Sequence, residues 1–522
     1  MVGEMTPASS EQETEGGKRA IAIIAAFTIA RVVVASCIPL ASGETYTLAI
    51  SRRLDLSYFD HPPLHQWIAH FGALAFGESV WARLPVILLF SATGWLVFAL
   101  TRDLFGPRAG LIALFGLNSS MFFFVGTGFS LIPDGPLVFA LAAATSLLVR
   151  LLFFEQRDSV GVWRLWLAVG FCLGLAGLAK YTAIFFALGL ALFMALSARQ
   201  RRWFAQPAPY AGAFLCLTAL TPVLLWNGRH HWISLLFQLR RAESTDASPM
   251  ELARIAIVEI AALTPWVFVP LALAITRAIW PERRDERSLF LLCLALPTIV
   301  FFNMLPLWGA APLMHWSMPG WFLAFPLMGA YLDQAWSKDR DLRRWATAST
   351  AALGLVAALA ISEALTGWMA RAVAQIRASP NSTGEPLFDP TLDTTLWTAL
   401  RDAPLLTGRN GTVPAFVVSF NWKESGIIAV AIGPGIPVLP YRNQRGMAYL
   451  NDASQFVGKD GVIVLQESRL ATSMERLRPF FESLGEPQRL SRDETGFPRI
   501  SLILIPAYGL RRPFPMSGMD AP

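Results

Sequence analysis

Charge is what this sequence has least of. Only 15% of its 522 residues are Asp, Glu, Lys or Arg, whereas 54% are hydrophobic, and a soluble domain carries roughly a quarter of charged residues. That excludes an ordinary soluble domain and makes a bilayer the solvent of most of the chain. Cysteine is equally scarce. Cys37, Cys172, Cys216 and Cys293 are the four present, each inside an apolar stretch and without paired spacing, which excludes a disulfide framework and a zinc site. They read as small core residues. No internal repeat is visible either, so the repeat architecture common among transporters finds no support.

What is present is a series of long apolar windows. A spanning helix needs about 20 mostly apolar residues, and eleven windows meet this, near 20–41, 80–100, 109–126, 135–154, 163–179, 181–197, 209–226, 256–276, 288–304, 317–335 and 346–365. Lys18 and Arg19 precede the first window. Arg102, Arg108, Arg157, Arg164, Arg199, Arg201, Arg202, Arg283, Arg284, Arg287, Lys338, Arg340, Arg343 and Arg344 fall in loops of the same parity. The opposite loops at 127–134 and 308–316 have no basic residue. By the positive-inside rule the basic loops are cytoplasmic. The net charge of +6 is therefore a topology signal, and no nucleic acid partner is expected.

These readings divide the chain into a disordered cytoplasmic N-terminus (1–17), a transmembrane domain (18–365), a linker (366–389), an extracytoplasmic α/β domain (390–510) and a tail (511–522). The first window is too long for a cleaved signal and reads as a retained anchor that keeps the protein in the membrane. An odd number of spans places the N-terminus inside and the C-terminal domain outside. In that domain 413–420, 427–432, 462–466 and 500–505 are expected strands, and 391–400 and 469–484 expected helices. Gly433-Pro434-Gly435 lacks a following Lys-Ser/Thr and reads as a turn. The Asn-x-Ser/Thr triplets at Asn381 and Asn410 establish no glycosylating compartment.

Chemistry is expected on the outer side, because all six histidines fall in outer loops. The first outer loop, 42–79, carries Glu44, Tyr46, Arg52, Arg53, Asp55, Tyr58, Asp60, His61, His65 and His70. In Asp60-His61-Pro62-Pro63 an acid and an imidazole precede two rigid prolines. Each of these residues equally suits a solvated interfacial loop. Asp134 stands alone in a nearly uncharged loop at the start of a span, where it fits a helix cap and also a functional carboxylate. Lys180 interrupts an apolar stretch, so it either snorkels to the interface or meets an anion such as a phosphate. A further outer loop holds Trp226-Asn227-Gly228-Arg229-His230-His231-Trp232, Ser234 and Gln238, and the last holds His315-Trp316.

Tyr58-Phe59-Asp60-His61-Pro62-Pro63-Leu64, Ala82-Arg83-Leu84-Pro85, Leu104-Phe105-Gly106, Pro133-Asp134-Gly135-Pro136-Leu137, Gly177-Leu178-Ala179-Lys180-Tyr181-Thr182, Trp226-Asn227 through Gln238, and His315-Trp316 occur in an order that resembles the bacterial relatives of protein O-mannosyltransferases and lipid A aminoarabinose transferases, which are GT-C glycosyltransferases. The resemblance covers about 20–330. Trp422, Gly426 and Arg445-Gly446 resemble recurring positions of the C-terminal domain in one bacterial branch. The fold it implies is a polytopic α-helical membrane protein of about eleven spans with a small extracytoplasmic α/β domain.

The function it implies is transfer of a sugar from a polyprenyl phosphate carrier to an envelope acceptor (lipid A or its core, a cell-envelope glycan or a protein), with inversion at the anomeric carbon. It further implies catalytic carboxylates at Glu44 and Asp134, with Asp60 a second candidate base because Gly43-Glu44 stands where the family usually has Asp-Glu. His61, Arg83, Lys180, Asn227, His230, Gln238 and His315 are the expected substrate-binding residues. Some relatives bind a divalent metal and others do not require one; the His and Asp of these loops are of types that ligate one. A transporter or flippase of lipid-linked sugars, or a membrane scaffold with an outer binding domain, is the alternative.

Overall fold

In a computed structural model of the chain, the structure describes residues 7–154, 158–241, 249–280, 285–310, 312–336, 339–369, 371–372, 395–408, 413–490 and 502–515. It divides into two compact units. One comprises 1–33, 61–65 and 83–355, the other 34–60, 66–82 and 356–522.

The first unit is helical. Among the described residues, six helices are each long and apolar enough to cross a membrane, and two bent pairs bring the number to eight if each pair is one span. The chain is thus a multi-pass membrane protein, but the apolar windows are not eleven straight helices. Window 181–197 is a 3-10 turn, Tyr181–Ala183, followed by the short helix Ile184–Leu196. Window 317–335 is broken into Met318–Leu323 and Phe325–Ala335. Window 256–276 folds as Pro249–Leu263 and Pro265–Ile279, with a 110° bend between them. Its cause is local: Thr264 takes φ +70°, which a β-branched residue adopts only under constraint, and Pro265 has no N–H with which to continue the helix.

Helices pack where side chains are small. A Cβ at Gly170 of helix Ser159–Ala179 would strike the backbone of Gly212 in helix Pro207–Ala219, so these helices approach more closely than any larger residue permits. Loops of one parity meet one another. Arg108 donates to Asp333 Oδ1 at 2.6 Å and to Asp339 Oδ1 at 3.2 Å, and Arg287 donates to the Leu104 carbonyl. Helix Asp134–Phe153, 20 residues long, separates this end from the other by about 30 Å.

The second unit contains a six-stranded sheet. β1 (Phe416–Ser419), β2 (Val438–Pro440), β3 (Gly461–Gln466), β4 (Phe481–Leu484), β5 (Gln488–Leu490) and β6 (Leu502–Leu510) are ordered β2-β1-β3-β6-β4, with β5 also pairing β6. β1 is parallel to β2 and β3, while β6 is antiparallel to β3, β4 and β5.

Two sequence expectations are corrected here. The 427–432 run lies in helix Trp422–Ile432, because Asn421 caps it, accepting from the N–H groups of Lys423 and Glu424, and Gly433 ends it at φ +83°; end signals outweigh the β-branched run. The expected helix at 469–484 stops at Leu477, and 481–484 is β4. The Gly433-Pro434-Gly435 turn is found as expected. The Pro380–Gly384 linker, Asn381 and Asn410 lie outside the described residues.

Candidate active site

In the membrane unit, Asp134 and Lys180 meet. Asp134 is the first residue of its helix, after Pro133, and its carboxylate turns from the helix end: Oδ1 accepts from Lys180 Nζ at 2.8 Å, with side-chain exposures of 2% and 5%. The helix-cap expectation is therefore replaced by an ion pair. Lys180 follows the end of helix Ser159–Ala179 in extended geometry, which projects its ammonium away from that helix axis. Its second partner is the His315 carbonyl at 3.2 Å. An ammonium has three donors. Among the described residues these two contacts use two of them.

Neighbouring loops lie around the same pair. Tyr181 and Ser234 hydroxyls are 2.8 Å apart, and the Arg241 guanidinium lies 4.9 Å from the Trp316 ring centroid. His315 is half-buried. Burial, with Lys180, His61 and Arg241 nearby, holds its imidazole well below the usual range. His61 faces His65 edge to face, with centroids 5.5 Å apart. Arg83 is buried and lies 5.2 Å from the Phe129 ring centroid. Asn227 is buried and donates to the Val223 carbonyl at 3.0 Å. His230 stacks on Trp226 at 4.0 Å with Nδ1 2.8 Å from its carbonyl oxygen, and Gln238 is half-buried in helix Ile233–Arg240. Beside Tyr181 lies an apolar cavity of about 540 Å³, lined among others by Trp166, Gly170, Leu190, Tyr210 and Leu220.

Glu44 and Asp60 belong to the second unit. Glu44 is the third residue of helix Ser42–Ser51, buried, and accepts from the Ala41 N–H at 2.9 Å. Asp60 is buried.

Sequence reasoning passed over Glu259. It lies in an apolar window yet is buried, its carboxylate accepting from the Ser317 hydroxyl, from Asn303 Nδ2 at 3.1 Å and from Trp321 Nε1 at 3.2 Å. It pins the 314–321 segment whose His315 carbonyl holds Lys180. A lone carboxylate in an apolar span was the available signal. Arg31 was passed over for the same reason; buried in the first helix, it donates to Asn118 Oδ1 at 2.6 Å and lies 4.4 Å from the Phe90 ring centroid. Among the described residues no group of three or more His, Cys, Asp or Glu is arranged to hold a metal ion.

The membrane unit thus holds a buried acid–ammonium pair, with an apolar cavity beside Tyr181. The family model of dolichyl-phosphate-mannose-protein mannosyltransferases matches residues 60–226. The lipid A galacturonosyltransferase RgtD of Rhizobium johnstonii is 27% identical over 304 residues, 54% of this chain and 59% of that protein. The chain thus spans somewhat over half the length of the curated relative it matches. ArnT from Cupriavidus metallidurans superposes in its apo state with TM-score 0.61 at 15% identity, over 92% of this chain and 97% of that one. Bound to undecaprenyl phosphate, ArnT gives TM-score 0.62 at 16% identity, over 93% and 97%. The chain has the fold of ArnT.

Proposed function

We propose that this protein transfers a hexosyl or pentosyl group from a polyprenyl-phosphate-linked sugar to an envelope acceptor (lipid A or its core, another glycan or a protein) at the extracytoplasmic face of the bacterial inner membrane, with inversion. The observation that carries this reading is the buried Asp134–Lys180 pair, which lies within the segment matched to the mannosyltransferase family. In the transfer, an acceptor oxygen attacks the anomeric carbon and the carrier departs as a phosphate anion. The third Lys180 donor is available to a phosphate oxygen, and a fixed cation in a dry site stabilises developing charge far better than water does. Asp134 holds that ammonium in place. The proton released by a hydroxyl acceptor goes to a carboxylate, for which Glu44 and Asp60 are the candidates, while His61, Arg83, Asn227, His230, Gln238 and His315 contribute to substrate binding. The 540 Å³ apolar cavity suits an isoprenoid chain. No step is routed through a metal.

The test uses membranes containing wild type or Asp134→Asn at matched protein levels, radiolabelled polyprenyl phosphate sugars and an envelope extract. Label passing to an acceptor with wild type, and falling at least a hundredfold with Asp134→Asn, is the expected result. Movement of intact lipid-linked sugar across vesicles without any transfer would replace the enzyme by a flippase.

A further inference from the structure

Helix Pro249–Leu263 ends at the 110° bend, and on its buried side it carries Ile255, Glu259, Ala262 and Leu263. Three of these four are apolar, as a packed helix face requires. Glu259, 3% exposed, is the exception, and its carboxylate is desolvated at a cost that an apolar residue would avoid. Stability of the bundle does not by itself account for an acid here.

Its partners stand at the two ends of one loop. Asn303, in the last turn of helix Glu286–Met304, donates from Nδ2 to Glu259 Oε1 at 3.1 Å, and the Ser317 hydroxyl donates to the same oxygen. Glu259 Oε2 accepts from Trp321 Nε1 at 3.2 Å. One carboxylate oxygen thus closes the base of loop 304–316. Close to its end the loop forms the 3-10 turn Met314–Trp316, and from that turn the His315 carbonyl accepts from Lys180 Nζ at 3.2 Å. Other contacts also hold the loop: Arg254 Nη2 donates to the Pro312 carbonyl at 3.4 Å, and the Trp316 ring packs on Phe302 with centroids 5.6 Å apart. Glu259 differs from these in gripping both the residue before the loop and the residue after it.

We propose that Glu259 is a positioning residue for glycosyl transfer: by closing the loop base it sets the His315 carbonyl against Lys180 and so aims the remaining ammonium donor at the carrier phosphate. The assignment rests on the transferase reading above. An ammonium turns freely about its Cε–Nζ bond and has three donors. Asp134 Oδ1 at 2.8 Å and the His315 carbonyl at 3.2 Å hold two of them, and tetrahedral geometry then fixes the direction of the third. With the carbonyl displaced, the ammonium keeps Asp134 but its other donors swing about that axis, and a misdirected donor does less for a departing phosphate.

Glutamine is the informative replacement. Trp321 Nε1 can only donate, so the glutamine oxygen serves either Trp321 or the loop base, and its amide N–H groups face a donor at the other. Asn303 cannot turn its own oxygen toward them without losing its 3.0 Å bond to the Ile299 carbonyl. Ser317→Ala removes the donor at the loop's end and leaves Glu259 its bonds to Asn303 and Trp321. Wild type, Glu259→Gln, Ser317→Ala and the double variant, each purified as folded full-length protein with its thermal midpoint recorded, are compared in the labelled-sugar transfer assay and in calorimetric binding of undecaprenyl phosphate. Each single variant should lower kcat per folded molecule by about tenfold to a hundredfold and weaken undecaprenyl phosphate binding by about tenfold. Because both act through one contact, the double variant should lose no more than the worse single. In the paired background Asp134→Asn with Lys180→Met, where no ammonium remains to be aimed, adding Glu259→Gln should change Kd by less than about twofold.

A carboxylate that only holds helices together would lower the midpoint, leave kcat and Kd of the folded protein at wild-type values, and overturn the assignment. Equal weakening of binding with and without Lys180 would overturn it too. Both results leave the transferase reading intact as long as wild type transfers sugar. A wild type that transfers no sugar from any donor removes both.

Discussion

At the scale of single residues, the candidate site is an electrostatic bargain between two groups that neither water nor lipid would accept alone. Removing either Asp134 or Lys180 leaves a buried charge without compensation, which costs about 3–5 kcal/mol, whereas removing both costs much less. Thermal unfolding in detergent should therefore show Asp134→Asn and Lys180→Met each strongly destabilised, and the double variant more stable than either. Additive losses would mean that the pair is not coupled as its 2.8 Å contact requires. His315 gives a pH dependence of definite sign. Its folded-state pKa lies below the ordinary value near 6.5, so below that value the unfolded chain binds more protons than the folded one, and stability falls with acidification. Melting midpoints should drop between pH 7 and pH 5 in wild type, and less in His315→Gln. Equal drops in the two proteins would assign the acid sensitivity to other groups.

Elements are decided by their ends and by their closest contacts. Helix Trp422–Ile432 illustrates both: Asn421 starts it, Gly433 stops it, and Gly426 lets it touch the Tyr46 backbone. Asn421→Ala should cost about 1 kcal/mol through loss of the cap. Gly426→Ala ought to stabilise an isolated helix by up to about 1 kcal/mol, but here the added Cβ is expected to reverse the sign and destabilise by about 1–3 kcal/mol through overpacking. Unfolding monitored by intrinsic tryptophan fluorescence checks both; a stabilised Gly426→Ala would show that the two helices yield to the methyl group. The sharp bend at Thr264 follows the same logic. Composition alone gave one continuous apolar window there, while a proline at the first position of a new helix made it two helices at 110°.

For the whole molecule, the parity of basic and chemistry-bearing loops in the sequence predicts which end faces the cytoplasm. In a background with Cys37, Cys172, Cys216 and Cys293 replaced, an impermeant maleimide applied to spheroplasts should label His231→Cys and spare Arg201→Cys until the membrane is opened. Both positions are exposed, so the reverse pattern would invert the topology.

Much of the molecule was legible before any coordinates, because insertion into a bilayer depends on summed hydropathy and loop charge, which are local properties of the sequence. The membrane class and the ordered motifs belong to this set, and Asp134, Lys180 and the His315 carbonyl, each singled out in the sequence, do meet. Other features escaped for equally physical reasons. Glu259 looked like an interruption of an apolar run because its partners Ser317, Asn303 and Trp321 come from distant segments. The helix at 427–432 was misread because propensity is weaker than capping and packing. What the sequence determined by itself was the membrane class of the chain, because summed hydropathy is a local property. Only the tertiary structure decided that the anion met by Lys180 is Asp134, and that the Tyr46 hydroxyl accepts from the Gly446 N–H, because partner choice depends on distances between residues remote in the chain.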